Sequence, residues 1–154
     1  MPVETRWFVK AGLLWLLATF AAGGLMLSAK ALGIAVPADA AIVHAHMGST
    51  GWLVNLVMGI ALWFLPVNRD RFKNNRGRYP AAAAWAVFVL LNLGLGLRIV
   101  MEPLFDPSPD SAIAVAALLL SASMQLGAVI IFVFIAWFRV RDVAPTRLEK
   151  GVPL

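Results

Sequence analysis

The two histidines of the chain, His44 and His46, stand one residue apart and open the apolar run HAHMGSTGWLVNLVMGIALWFLP at residues 44–66. Residues two apart on an α-helix point about 200° from each other, so these imidazoles face opposite sides. A regular helix cannot turn both onto one metal ion, and a mononuclear zinc or copper site needs the first turn frayed or extended. Two hemes, one on each side, need no such distortion. At spacings of four, seven and eleven after His44 come Gly48, Gly51 and Asn55, and below His46 come Ser49 and Thr50. Side chains this small admit a porphyrin edge, and they equally let membrane helices pack closely. With histidines above them on both faces, the porphyrin reading is favoured. Imidazoles inside a membrane are costly and mark function; the plain alternative is a pair solvated at the membrane surface.

A few other side chains invite chemistry. Arg98 lies in an apolar run, where an arginine faces a polar partner or a cavity, and Glu102 at i+4 is one candidate partner. Met47 beside the pair would suit copper, since imidazole and thioether do, but only with a frayed helix. Met26, Met58, Met101 and Met124 read as gap-filling core before axial ligands. Asn92 and Gln125, midway along their runs, are candidates for hydrogen bonds between helices. The chain has no cysteine, which excludes disulfides, iron–sulfur clusters and thiolate sites.

These residues need elements to hold them, and composition says which. Of 154 residues, 61% are hydrophobic and 14% charged, and the apolar residues fall into four blocks near 11–32, 43–66, 80–101 and 112–138. Each is long enough to cross a hydrocarbon core, which takes roughly 20 helical residues. The blocks lack the alternation of a barrel strand, and lipid demands internally paired backbone, so helices follow. The expectation is an all-α, integral membrane four-helix bundle, with residues 1–154 as one membrane domain. The first block, ending LSAKALG, is longer than the apolar core of a secretory signal and reads as a retained span. PAAAAWAV reads as a helix start with proline in its first turn.

Charge sets the expected orientation. The segment after the second block carries Arg69, Arg71, Lys73, Arg76 and Arg78 against Asp70, and the C-terminal segment carries Arg139, Arg141, Arg147 and Lys150. The segment after the third block holds Glu102, Asp106 and Asp110 without a basic residue. Lysine and arginine accumulate on the cytoplasmic side, so both termini are expected there, with His44, His46 and Arg98 at similar depth near the outer surface. The basic residues thus read as topology signals, not as a nucleic-acid patch. Trp7, Trp63 and Trp137 fit the inner interfacial belt.

The 44–66 stretch resembles the tenth helix of the catalytic subunit of heme–copper oxidases. His44 and His46 match its opening His-x-His, Met58-Gly59 its glycine-containing middle, and Trp63-Phe64 with Pro66 its aromatic end. In that family the first histidine binds the high-spin heme and the second the low-spin heme. The segment LRIVMEPLFDPSPDSA is similar to the loop beyond the eleventh helix, with Arg98 in the place of an arginine that pairs with heme propionates, followed by Asp106, Pro107, Pro109 and Asp110. The likeness covers about half of the chain. It fits small oxidase subunit I-like proteins and the NnrS-type heme proteins of nitric oxide response. The oxidase helices with the copper ligands and the His–Tyr crosslink have no counterpart, and the single tyrosine, Tyr79, lies in the basic segment. The resemblance therefore implies a relative of the oxidase core, not a complete oxidase.

Opposed ligands also bear on assembly. If His44 of one chain and His46 of the next share an iron, the contact is head-to-tail, and such contacts close as rings of three or more. The expectation is a homotrimer with heme b at each subunit interface, in the inner (cytoplasmic) membrane of a bacterium, passing electrons to a redox partner. Iron held by one histidine would instead leave a position for nitric oxide or oxygen. A third reading is copper or heme delivery to a respiratory oxidase. His44, His46, Gly48, Gly51 and Arg98 are the candidate site residues, with His44 and His46 as the iron ligands.

Overall fold

Four helices are long and apolar enough to cross a membrane. In the computed structural model, which describes residues 1–73, 75–105 and 111–140, α1 spans Val3–Ala31. The second crossing is composite: α2 (Ala40–His46), a π-helical segment (Met47–Val54) and α3 (Asn55–Phe64). α4 (Ala81–Phe105) and α5 (Ala112–Trp137) complete the set. No strand occurs among the described residues. This is the all-helical, multi-pass membrane architecture that the four apolar blocks predict. Two edges differ. α1 starts at Val3 because Arg6 and Lys10 can extend toward water while their stems cover apolar surface. α4 continues past Met101 and takes Pro103 into its last turn. Asp106, Pro107, Pro109, Asp110, Arg141, Arg147 and Lys150 lie outside the described residues.

α1 and the second crossing meet along a seam where a large group on one helix faces a missing side chain on the other. A Cβ added at Gly59 would stand 2.7 Å from Phe8 Cβ, and one at Gly12 3.3 Å from Leu56 Cγ. At Gly51 it would stand 2.7 Å from Trp15 Cγ, at Gly48 3.3 Å from Thr19 Cγ2, and at Gly23 3.0 Å from His44 Cε1. Lipid supplies no hydrophobic drive between helices, so close packing through small residues has to hold them together. α4 and α5 use the same device: Gly94 admits α5, and the Ser121 hydroxyl donates to the Gly94 carbonyl at 2.7 Å. The outward faces are greasy; Phe20 and Trp137 are each 74% exposed, as suits a surface bathed in acyl chains.

At the opposite end from the histidines, Arg139 is fully buried and closes the bundle. Pro66 ends the second crossing, because the residue before a proline is pushed out of helical geometry, and Leu65 has ψ 141°. The carbonyls left over are taken by Arg139: Nε donates to Pro66 at 3.0 Å, Nη1 to Leu62 at 2.9 Å and Nη2 to Leu65. The guanidinium also lies 5.3 Å from the centre of the Tyr79 ring, a cation–π contact. Asn68 ties the same loop to α5 by donating to the Phe138 carbonyl. Trp7, Trp63 and Trp137 all lie toward this end and are exposed.

Two expected outcomes follow. Gly59→Ala should destabilise the protein in mild detergent by about 1–3 kcal/mol, the usual range for overpacking, while Gly96→Ala, where nothing lies within 4 Å of the new atom, should be neutral or stabilising; thermal unfolding reads both. Burial, with the Glu4 carboxylate adding to it against Arg139 and Arg78, pushes the Tyr79 phenol up to about 12 from 10.0. The folded state thus holds its proton longer than the unfolded state. Stability from this group is complete below pH 10 and lost as pH climbs toward 12. Because Tyr79 is the single tyrosine, phenolate absorbance reports it alone, and Tyr79→Phe should remove that part of the pH dependence.

Candidate functional site

His44 and His46 sit on the α-helical turn that precedes the π segment, so the regular two-residue offset applies to them. Their rings reach different helices. His44 lies against α1, its Cε1 over Gly23, and its Nδ1 is buried without a hydrogen-bond partner. The ring borders a groove of roughly 500 Å³ shared with Thr19, Phe20, Gly23, Gly24 and Leu27. His46 turns to α4, where its Nε2 lies 4.0 Å from Glu102 Oε2. The helix does not fray, and Met47 keeps α-helical angles (φ −60°, ψ −44°). Among the described residues, no group of three or more His, Cys, Asp or Glu side chains could hold a metal ion.

Arg98 pairs with Glu102, Nη2 to Oε1 at 3.4 Å, one turn along α4. That ion pair is the partner suggested by the i+4 spacing. It leaves capacity unused: Arg98 Nε and Glu102 Oε2 are both buried without hydrogen bonds. His46, Arg98 and Glu102 thus form a polar cluster at the same end of the bundle as His44 but on another face.

Gly48 and Gly51, expected to lie beneath a porphyrin, face α1. The room beside Gly51 is filled by the Trp15 indole, and Thr19 lies against Gly48. The glycines that do border an open space next to an imidazole are Gly23 and Gly24, on α1; a Cβ at Gly24 would meet nothing within 4 Å. The sequence carried a signal for them, a Gly-Gly pair near the end of the first apolar block, but their partnership with His44 depends on how α1 docks.

Below the histidines, the bundle holds a polar network. Asn55 and Asn92 exchange amide hydrogen bonds, Asn55 Nδ2 to Asn92 Oδ1 at 3.2 Å and Asn92 Nδ2 to Asn55 Oδ1 at 3.0 Å. Trp15 Nε1 donates to Asn92 Oδ1 at 3.0 Å, Asn55 Nδ2 to the Gly51 carbonyl at 2.8 Å, and Asn92 Nδ2 to the Phe88 carbonyl at 2.9 Å. A π segment disturbs the i→i+4 ladder, and Asn55 sits where that segment returns to α-helix, serving its carbonyls. Asn92 thus bonds across helices as its position suggests, joining α1, the second crossing and α4. Gln125 bonds instead within its own helix, to Ser121 Oγ at 3.3 Å.

Comparison with protein-family models, with curated proteins and with solved structures finds no match. The chemistry of the site therefore rests on its own residues.

Asn92→Leu leaves the Asn55 Oδ1 acceptor and the Trp15 indole N–H without partners, while Asn55 Nδ2 keeps the Gly51 carbonyl. The expected loss is on the order of 1–3 kcal/mol, the range for buried groups left unpaired, and larger than for Gln125→Leu. Unfolding of both variants in the same detergent checks the order.

Proposed function

We propose that this chain is a membrane b-type hemoprotein, with His44 as the iron ligand at the α1–α2 groove. The observation that carries the reading is the imidazole of His44: its ring borders an open groove floored by glycine, and with Nδ1 turned inward and buried, Nε2 is the nitrogen left to meet an iron. The residues fit the group. A flat apolar macrocycle needs a ligating nitrogen and a wall free of branched side chains, and Gly23 and Gly24 leave such a wall between Phe20 and Leu27. When bound, heme b supplies one-electron redox chemistry. Arg98, beside His46 on the other face, would offer a planar cation to a propionate of the heme shared with the neighbouring chain, the anion that its fork matches best, while one Nη stays paired with Glu102.

The second imidazole supports the assembly reading. His46 lies on the α4 side, away from the groove, so a neighbouring chain docked head-to-tail would bring its His46 toward this chain's His44. Head-to-tail contacts whose rotation closes make rings of three or more, and the smallest, a homotrimer with an iron at each interface, is the assembly we propose. Two imidazoles on one iron leave no open position, which favours electron transfer over catalysis. The same separation favours a second reading: a chain acting alone offers the groove one imidazole, and the free iron position would take nitric oxide or oxygen.

Charge supports the orientation. Arg6, Lys10, Arg69, Arg71, Lys73, Arg76, Arg78 and Arg139 gather at the end away from the histidines. By the positive-inside tendency that end, with both termini, faces the cytoplasm, here of a bacterial inner membrane, and the groove opens near the outer surface.

Purified from cells supplied with a heme precursor, the wild type is expected to retain stoichiometric heme and His44→Ala to lose it. Gly24→Leu, which intrudes on the groove without touching the fold, should lower heme content while helix content and melting stay unchanged. Carbon monoxide binding by the reduced protein would select the gas-binding reading. Full heme retention by His44→Ala would remove the proposal.

A further inference from the structure

The end of the bundle away from the histidines combines two features that the heme reading does not use. On α5, Val129, Ile130, Val133, Phe134, Trp137 and Phe138 line an apolar groove of roughly 400 Å³. Above its end stands Arg71, whose guanidinium carbon lies 4.7 Å from the centre of the Phe138 ring and 5.7 Å from that of Phe134. The two rings meet edge to face at 5.0 Å, giving the cation a fixed platform.

The position of Arg71 is built. Its backbone N–H donates to Asn68 Oδ1 at 3.1 Å, while Asn68 Nδ2 donates to the Phe138 carbonyl and the Asn68 N–H to the Gly77 carbonyl. One asparagine therefore clips the basic loop onto the end of α5. Among the described residues, no carboxylate forms an ion pair with Arg71, and Asp70 is the one acid of this loop against Arg69, Arg71, Lys73, Arg76 and Arg78. Arg69, Lys73 and Arg76 in the same loop are exposed, so the local field is positive.

We propose that this corner is a binding site for an anionic phospholipid, with its phosphate at Arg71 and an acyl chain in the α5 groove. Each half of the site selects for one half of the molecule. The groove lies on the outward face of a membrane-crossing helix, where acyl chains are the solvent, and it offers no polar group to a peptide backbone. The cation above it is oriented by two rings and a backbone tie, at the depth where headgroups begin. A zwitterionic lipid satisfies the groove but brings its own cation to a positive surface, and a free anion satisfies Arg71 but leaves the groove unused. The anionic lipid satisfies both.

The test is native mass spectrometry of the intact chain from mild detergent, with phosphatidylglycerol and phosphatidylcholine of matched acyl chains. The wild type is expected to bind phosphatidylglycerol more tightly. Arg71→Gln should weaken that binding by about five-fold, the contribution of one basic residue near an anionic surface, and bring it close to that of phosphatidylcholine. Arg71→Lys should keep most of the preference. Val133→Trp, which fills the groove from a residue 49% exposed, should weaken both lipids alike. All three variants alter exposed side chains, so melting without added lipid should match the wild type. An unchanged preference in Arg71→Gln overturns the proposal, as does full displacement of the lipid by glycerol phosphate, which would mean that the acyl chain contributes nothing.

Discussion

The contact on which the rest of the molecule depends is the seam between α1 and the second crossing. Phe8, Trp15, Thr19 and His44 each face a glycine on the opposite helix, so the two backbones approach closely along most of the membrane's depth. In lipid this closeness has to be secured by packing and hydrogen bonds, since the surrounding tails are as apolar as the helices. The seam also does something chemical. Its last step, Gly23 beneath His44, puts an imidazole at the edge of α1 with a nitrogen buried and unpaired.

Hydrogen bonds then fix what packing alone would let slide. Asn55, Asn92 and Trp15 tie three crossings at one level, just where the π segment gives way to α-helix. At the far end Arg139 gathers the carbonyls of Leu62, Leu65 and Pro66. Burial lowers its proton affinity, with the Tyr79 phenol opposing that and the charge of Arg78 adding to it; arginine nonetheless stays charged at ordinary pH. One buried cation thus replaces the cap that Pro66 denies the helix. The histidine end has looser bonding: the His46–Glu102 separation of 4.0 Å and unused atoms on Arg98 and Glu102 leave it able to accept a further group.

The four crossings were legible because length and hydropathy are summed over many residues, and no local exception alters the sum. The opposed directions of His44 and His46 were legible too, since both lie in regular helix. What could not be read was which helix each face meets. Gly48 and Gly51 satisfy equally a porphyrin edge and the side of α1, and only docking assigns them to Thr19 and Trp15. The π segment over Met47–Val54 has no proline to announce it, yet His44, Gly48 and Gly51 still share the face that meets α1. Arg139 read as a topology signal among other basic residues; that it folds inward reflects the carbonyls left by Pro66, a demand invisible at position 139 itself.

Heme ligation by His44 is the central claim, and the optical spectrum of the purified wild-type chain tests it most directly. The account predicts the sharp reduced bands of a low-spin, six-coordinate b-type heme with two imidazoles on the iron. A colourless protein, folded and with its four helices intact, would contradict it.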